Sequence, residues 1–187
     1  MSKLFVDEIV HQSSQGSGTI TIGASGETTN IVGTLQNNGA GVGGTNTPSF
    51  FAYLSSNQSF SGATEVKVLN NTESWDTDNA YDNSTNYRFT VPTGEGGKYF
   101  IIGAAKFSGV PVNEYVRVRF YLNGTADTVG ETRLPTTTSG GDEMFKAVHI
   151  FDLSAGDYLE MYIRSLSTGG SLLSPGTYFA GYKLIGV

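Results

Sequence analysis

The sequence predicts an all-β protein: a jelly-roll sandwich of two antiparallel sheets behind a β-rich N-terminal stem. The first observation is composition, because 25 of 187 residues are glycine and only 15% are charged, which fits short strands and turns better than long helices. The second is the aromatic run in residues 75–99, where Asn, Asp, Ser, Thr and Gly separate the large side chains at no helical spacing. The third is a series of strand-length segments after residue 47 without a helical pattern.

Residues 1–46 are predicted to form the stem, which ends in a glycine-rich linker at residues 39–44. Its small apolar groups are separated by Gly/Ser/Thr-rich breaks, and Phe5 is its only aromatic residue. Such short strands cannot build a core alone, so they must pack against copies of themselves or another body. The residues expected to anchor the stem in this way are Leu4, Val6, Ile9, Ile20, Ile22, Ile31 and Leu35.

Residues 47–187 are predicted to form the head. Candidate strands lie near 49–55, 64–70, 85–91, 98–107, 114–122, 143–153, 157–166 and 177–186. Alternation is clearest in Tyr115–Leu122, where Arg117 and Arg119 share the face opposite to the valines. Asn123-Gly124 follows this strand directly and predicts a tight hairpin.

The aromatic run resembles the central signature of the C1q/tumour-necrosis-factor-like jelly roll, in which an aromatic–Asx pair, a Tyr, a Phe-x-x-Pro and a Gly-x-Tyr follow one another. The corresponding residues here are Trp75-Asp76, Tyr81, Phe89, Pro92, Gly97 and Tyr99. Trp75 replaces the usual Phe, and two extra residues separate Pro92 from Gly97. We expect Trp75, Phe89 and Tyr99 to lie in the core or at its rim.

Further motifs extend the resemblance over residues 48–187. Phe51-Ala-Tyr53 is similar to the family's opening strand, Gly156-Asp157 to the pair before its penultimate strand, and Phe179-Ala-Gly181-Tyr182 to its closing strand. The resemblance implies a homotrimer around a three-fold axis. The contact candidates that it implies are the aromatic residues of the first and last strands: Phe51, Tyr53, Phe179 and Tyr182.

The stem resembles the N-termini of bacteriophage fibre and other virion appendage proteins, through Lys3–Val10 and the following Thr19–Ile22. The two resemblances together predict a non-enzymatic virion structural protein, a trimeric tail fibre or decoration protein. It would attach to other virion proteins by the stem and present the head to the host surface, with a glycan as a candidate ligand. The alternatives are a free-standing bacterial C1q-like recognition or matrix protein and, with least support, an enzyme acting on polysaccharide.

Composition and motifs also exclude several classes of function. The net charge of −6 and the scattered basic residues argue against a nucleic-acid partner. There is no cysteine, and His11 and His149 belong to no nucleophilic motif, so no catalytic residue is assigned. The carboxylates that a glycosidase would need are interpreted as solvated charges: Asp142, Glu143, Asp157 and Glu160.

No cofactor or metal is predicted, although calcium at the loop carboxylates of residues 76–82 stays open, as some C1q-like proteins bind it. No segment has the roughly 20 apolar residues of a membrane helix, so no membrane insertion is predicted. Asp7 and Glu8 interrupt any signal-peptide core. We therefore expect a protein made in the host cytoplasm and located in the virion.

Overall fold

The computed structural model describes residues 46–138 and 140–184, together with the backbone of residues 36–37 and 40–41. The chain divides into two compact units, Met1–Gly43 and Gly44–Val187. In the first unit, β1 (Gln36–Asn37) pairs antiparallel with β2 (Ala40–Gly41). All regular structure in the described residues is β-strand, and no helix there could cross a bilayer.

The second unit contains fourteen described strands in two antiparallel sheets. They are β3 (Ser49–Tyr53), β4 (Gln58–Phe60), β5 (Val66–Lys67), β6 (Thr72–Asp76), β7 (Tyr81–Asp82), β8 (Arg88–Thr90), β9 (Gly97–Ser108), β10 (Tyr115–Leu122), β11 (Thr125–Ala126), β12 (Thr132–Pro135), β13 (Glu143–Leu153), β14 (Tyr158–Ser165), β15 (Gly170–Leu172) and β16 (Tyr178–Lys183).

The first sheet has the order β4-β15-β9-β16-β3-β6, with β13 paired to β9. Its longest ladder joins β9 and β13 in unbroken register from Gly97↔Leu153 to Phe107↔Glu143. The second sheet has the order β11-β10-β14-β8-β7, with β12 paired to β10 and β5 to β14. Most neighbouring strands are not consecutive in the chain, as the jelly-roll prediction requires, and the exceptions are the β10–β11 and β7–β8 pairs of the second sheet.

The core lies between the two sheets and follows from period-two alternation along their strands. On β10 and β14, Val118, Phe120, Met161 and Ile163 are fully buried, whereas the intervening residues face outward. Burying side chains of this size stabilises the fold by about 1.5–3 kcal/mol each.

The all-β jelly-roll prediction is confirmed, and each of the eight predicted strands overlaps an observed one. The predicted segment 64–70 is a strand only at Val66–Lys67. The prediction missed six short or polar strands: β4, β6, β7, β11, β12 and β15. The hairpin at Asn123-Gly124 is present, with Leu122 opposite Thr125 and both turn residues at positive φ.

The signature aromatic residues Tyr81, Phe89 and Tyr99 are buried. Two signature positions are occupied by glycine for structural reasons. Gly97 begins β9 at φ +144°, a conformation that other residues rarely adopt. A Cβ at Gly181 would stand 2.5 Å from Ile101 Cδ1, so a larger residue here would force the Ile101 side chain to shift.

The remaining signature residues lie in turns. The carbonyl of Pro92 accepts a hydrogen bond from the Glu95 N–H at 3.1 Å. Gly156 and Asp157 precede β14, and the Asp157 carboxylate accepts the Ser154 N–H at 2.7 Å. The predicted anchoring residues of the stem lie outside the described residues, and their role stays a prediction: Leu4, Val6, Ile9, Ile20, Ile22, Ile31 and Leu35.

Candidate functional site

The outward side of the first sheet is apolar and rich in aromatic residues across five neighbouring strands. We call this surface the apolar face. Its members, from β6 to β13, are Trp75, Phe51, Tyr53, Tyr178, Ala180, Tyr182, Phe100, Ile102, Val148 and Ile150. They face outward because their strand neighbours, such as Phe50 and Ile101, point into the core.

Strand register brings the rings of the apolar face together. Phe51 lies directly opposite Trp75, with ring centroids 5.1 Å apart, and its other side stacks on Tyr178 at 5.1 Å. Phe100 lies opposite Tyr182 at 5.4 Å. Each such aromatic pair contributes about 0.5–1.5 kcal/mol beyond the area that it buries.

Much of this surface is open in the single chain. Trp75 is 51% exposed and Ile150 53% exposed, and Val148 is similarly open. Charged pairs lie towards the ends of the same sheet, where Lys106 contacts Asp142 at 3.1 Å. Extended apolar surfaces of this kind usually mark a site where another protein or membrane binds.

The outward side of the second sheet differs from the apolar face in chemistry. It carries the ion pairs Lys67–Glu160 at 2.5 Å and Arg119–Glu131 at 3.2 Å. Of the two outward surfaces of the sandwich, the first is therefore suited to burial in an assembly and the second to contact with water or a polar ligand.

Trp75, predicted to lie in the core or at its rim, is 51% exposed in the single chain, because it lies opposite the outward-facing Phe51. Tyr182, a predicted trimer contact, is 36% exposed and lies opposite the outward-facing Phe100. Phe179, predicted as a trimer contact, is fully buried between the sheets against Phe50 and Phe120. It precedes Gly181 by two residues and so shares its inward side.

The other contact candidates are placed differently. Phe51 and Tyr53 lie half-buried on the apolar face. Tyr182 also lies on the apolar face, on its middle strand, and its ring packs beside that of Phe100. Phe100, Tyr178 and Ile150 belong to the same surface and were missed by sequence reasoning, although alternation around Tyr99 and Phe179 could have revealed the first two.

The loop carboxylates considered for calcium are bound by their own backbone. Asp76 accepts the Tyr81 N–H at 2.8 Å, and Asp82 accepts the Thr85 N–H at 2.8 Å. Hydrogen bonds from Thr85 and Ser84 hold the pKa of Asp82 well below its ordinary value. Within the described ranges, no group of three or more potential metal ligands is present.

His149 lies on the inward side of β13, directly opposite the core residue Ile101, and its Nδ1 lies 2.8 Å from Asp127 Oδ2. Burial alone would raise the pKa of Asp127, but the Val129 N–H and the His149 ring outweigh it and lower the value. Among the described residues, Asp127 is the only hydrogen-bond partner of the His149 ring. The carboxylates considered for glycoside cleavage also have structural partners, as Glu160 has Lys67 and Asp142 has Lys106.

Comparison with known proteins gives a match in structure only. No protein-family model and no curated protein matches the sequence. Murine APRIL at pH 5.0 is 16% identical, with 73% of this chain and 98% of that chain covered and a TM-score of 0.55. Eiger TNF from S. frugiperda is 14% identical, with 74% and 92% covered and a TM-score of 0.53.

The globular domain of zebrafish complement 1qA also aligns, at 14% identity, with 74% of this chain and 98% of that chain covered and a TM-score of 0.47. At sequence identities this low, structural similarity shows a shared fold and does not show a shared function. The matches to APRIL and Eiger TNF show that the head has the C1q/tumour-necrosis-factor-like jelly-roll fold.

Proposed function

We propose that this protein is a non-enzymatic binding protein whose head assembles as a homotrimer through the apolar face. The observation that carries the proposal is the open row of rings and aliphatic side chains from Trp75 to Ile150. A stable interface buries about 800 Å² from each partner, with an apolar and aromatic centre and a polar rim. The apolar face has this composition.

A closed ring of three copies fits the fold better than an open chain of contacts. The C1q/tumour-necrosis-factor-like resemblance implies a three-fold axis, and closed symmetry leaves no apolar face uncovered. The exposed members of the face, Trp75, Tyr182 and Ile150, would then be buried against neighbouring copies. Their burial would offset the cost of association.

We further propose that residues 1–46 attach the trimer to a virion as a fibre or decoration protein, and that the head contacts the host surface. The phage-like pattern of Lys3–Val10 supports this role. Three equivalent sites on one head, repeated over many fibres, would give avidity from individually weak contacts. The protein would be made in the host cytoplasm and incorporated into particles there.

Light scattering on the full chain at micromolar concentration tests the assembly. We expect a mass of three times 19.9 kDa. Ile150→Glu places a charge on the apolar face and should reduce the mass to that of one chain. The matched control is Val129→Glu, because Val129 is 79% exposed and lies outside the face. A wild-type monomer, or an Ile150→Glu variant that still forms trimers, would refute the proposal.

A further inference from the structure

All five arginines of this acidic chain lie on strands of the second sheet. Arg88 is on β8, Arg117 and Arg119 are on β10, Arg133 is on β12 and Arg164 is on β14. The lysines are distributed over other parts of the chain, with Lys67 alone joining this sheet among the described residues. The guanidinium groups of this acidic protein are therefore all found on one sheet.

Three of these arginines form a row across adjacent strands. Arg117 is the direct cross-strand partner of Arg133 on one side and of Arg164 on the other. Direct partners point to the same side of a sheet, so the three guanidinium groups share the outward face. Like charges in such positions destabilise a sheet, which means that folding alone gives no reason for the row.

Carboxylates compensate only the middle member of this row, Arg117, together with Arg119 on the same strand. Glu65 pairs with Arg117 and lies 3.7 Å from Arg119, and Glu131 lies 3.2 Å from Arg119. Two carboxylates thus balance two guanidinium groups. Arg133 and Arg164 have no carboxylate partner within the described part of the chain.

Two members of the row have a buried Nε, Arg117 and Arg164. Neither Nε has a hydrogen-bond acceptor among the described residues. A buried donor without a partner costs about 1–3 kcal/mol unless another molecule supplies the acceptor. Arg133 instead stacks over the Tyr115 ring, with its guanidinium carbon 5.2 Å from the ring centroid.

The row borders a small cavity of about 110 Å³, lined by Tyr115, Arg117, Arg133, Arg164 and Leu166. No carboxylate is among these lining residues. The nearby Glu114 is engaged elsewhere, because its carboxylate accepts hydrogen bonds from Ser165 and Ser167. The cavity therefore presents positive charge and unfilled donors without an internal counter-ion.

We propose that this cavity binds one oxyanion group, a carboxylate, sulfate or phosphate, of an acidic saccharide. Guanidinium groups bind such groups through paired, charge-assisted hydrogen bonds. At about 30 Å³ for each water, the cavity holds a few waters, enough for one anionic group but too little for a whole sugar. The saccharide ring would lie outside it, against the half-exposed Tyr115 and Leu166.

The net charge of the chain favours a ligand with few negative charges. A polyanion bound at this cavity would be repelled by the rest of the protein, because the chain has a net charge of −6. A single acidic sugar needs only the two uncompensated arginines, with Arg117 held in place by Glu65. The choice of a saccharide as the ligand rests on the host-surface binding proposed above. The site itself lies within one chain and does not require the trimer.

Nuclear magnetic resonance of the full chain labelled with ¹⁵N-arginine tests the proposal, because each arginine gives its own Nε–Hε signal. The probes are galacturonate, galactose 6-sulfate and galactose 6-phosphate, which separate the three anion types, with neutral galactose as the control. We expect saturable shifts of Arg117, Arg133 and Arg164 with at least one acidic sugar. The Arg88 signal should not shift, because Arg88 lies far from the cavity. Its cross-strand neighbour, Glu160, is four residues from Arg164, about 13 Å along β14.

Variants distinguish binding from general charge effects. Arg164→Leu should weaken binding by about tenfold or more without lowering the melting temperature, because it removes a like charge and an unpaired donor. Arg133→Leu, at an exposed position, provides a second test if Arg164→Leu does not fold. Arg88→Leu is the matched control and should bind as the wild type does.

Several results would overturn the proposal. They are the absence of shifts with all three acidic sugars, equal shifts at all five arginines, or undiminished binding by Arg164→Leu or Arg133→Leu. The monomeric Ile150→Glu variant should still bind the sugar. A binding-competent monomer together with a monomeric wild type would therefore contradict the trimer and leave the anion site standing.

Discussion

Phe50 on β3 stacks on Phe89 on β8, with ring centroids 4.8 Å apart and planes 11° from parallel, so that one aromatic pair joins the two sheets. The next residue, Phe51, points to the opposite side of the same strand and stacks on Tyr178. Adjacent phenylalanines thus serve different purposes. One holds the sandwich closed and the other belongs to the apolar face.

Phe89→Ala should strongly destabilise the head, because Phe89 is fully buried and its loss leaves a cavity between the sheets. The expected cost is about 3–5 kcal/mol in the free energy of unfolding, measured by urea denaturation. The matched control is Trp75→Ala, which removes a half-exposed ring. In a chain made monomeric by Ile150→Glu, it should cost much less. Equal losses would place both rings in the core.

Gly181→Ala should destabilise the head by about 1–3 kcal/mol. The added methyl group would stand 2.5 Å from Ile101 Cδ1 and 3.0 Å from the Phe100 carbonyl oxygen. Gly96→Ala is the control, since the closest contact of its new methyl group is 3.3 Å. Thermal unfolding of the two variants tests this difference. A Gly181→Ala melting temperature equal to that of Gly96→Ala would contradict the close packing of β16 on β9.

The stability of the head should depend on pH through Asp82. Hydrogen bonds from Thr85 and Ser84 lower its pKa in the folded protein below the ordinary value of 3.8. The carboxylate therefore stabilises the fold above that pH, and its contribution is lost as the pH falls through the lowered folded value. Asp82→Asn should cost about 1 kcal/mol near neutral pH, a modest amount because the loop is solvated.

Urea denaturation at several pH values measures this effect. The difference between wild type and Asp82→Asn should narrow progressively below the ordinary pKa. Asp152→Asn, at an exposed position on β13, is the control. A difference that stayed constant down to low pH would show that the Asp82 carboxylate has no special role in the loop.

Deleting residues 1–46 should leave a head that folds and forms trimers but no longer joins the particle. The folded unit Gly44–Val187 contains both sheets, and the stem is proposed to carry the attachment. Purification of particles assembled with the full chain or with the truncated chain tests this separation. A truncated head incorporated at the normal level would place the attachment site in the head and favour a different role for the stem.

The sequence predicts most of the fold because the signals for it are local. Alternation in Tyr115–Leu122 and the Asn123-Gly124 turn depend on neighbouring residues alone, and both appear in the structure as expected. The short edge strands β7 and β11 have too few residues to show a period, so their existence follows from pairing partners distant in sequence.

The two candidate surfaces were harder to predict. Trp75 and Phe89 have the same chemical character in the sequence, and only the pairing of β6 with β3 places one outside and the other inside. The arginine row depends on the register of β10 with both β12 and β14. Register of this kind is set by the packing of the whole sheet, which no local pattern encodes.

The ladder from Ser49↔Tyr182 to Tyr53↔Tyr178 joins the first and last long strands of the head. A ribosome adding about 5–20 residues each second needs on the order of ten seconds to travel from one to the other. Until then β3 and β9 each have an open edge, because β16 belongs between them. A chain whose translation stops before residue 178 would keep those edges exposed, so truncated products should aggregate or be degraded rather than accumulate as folded fragments.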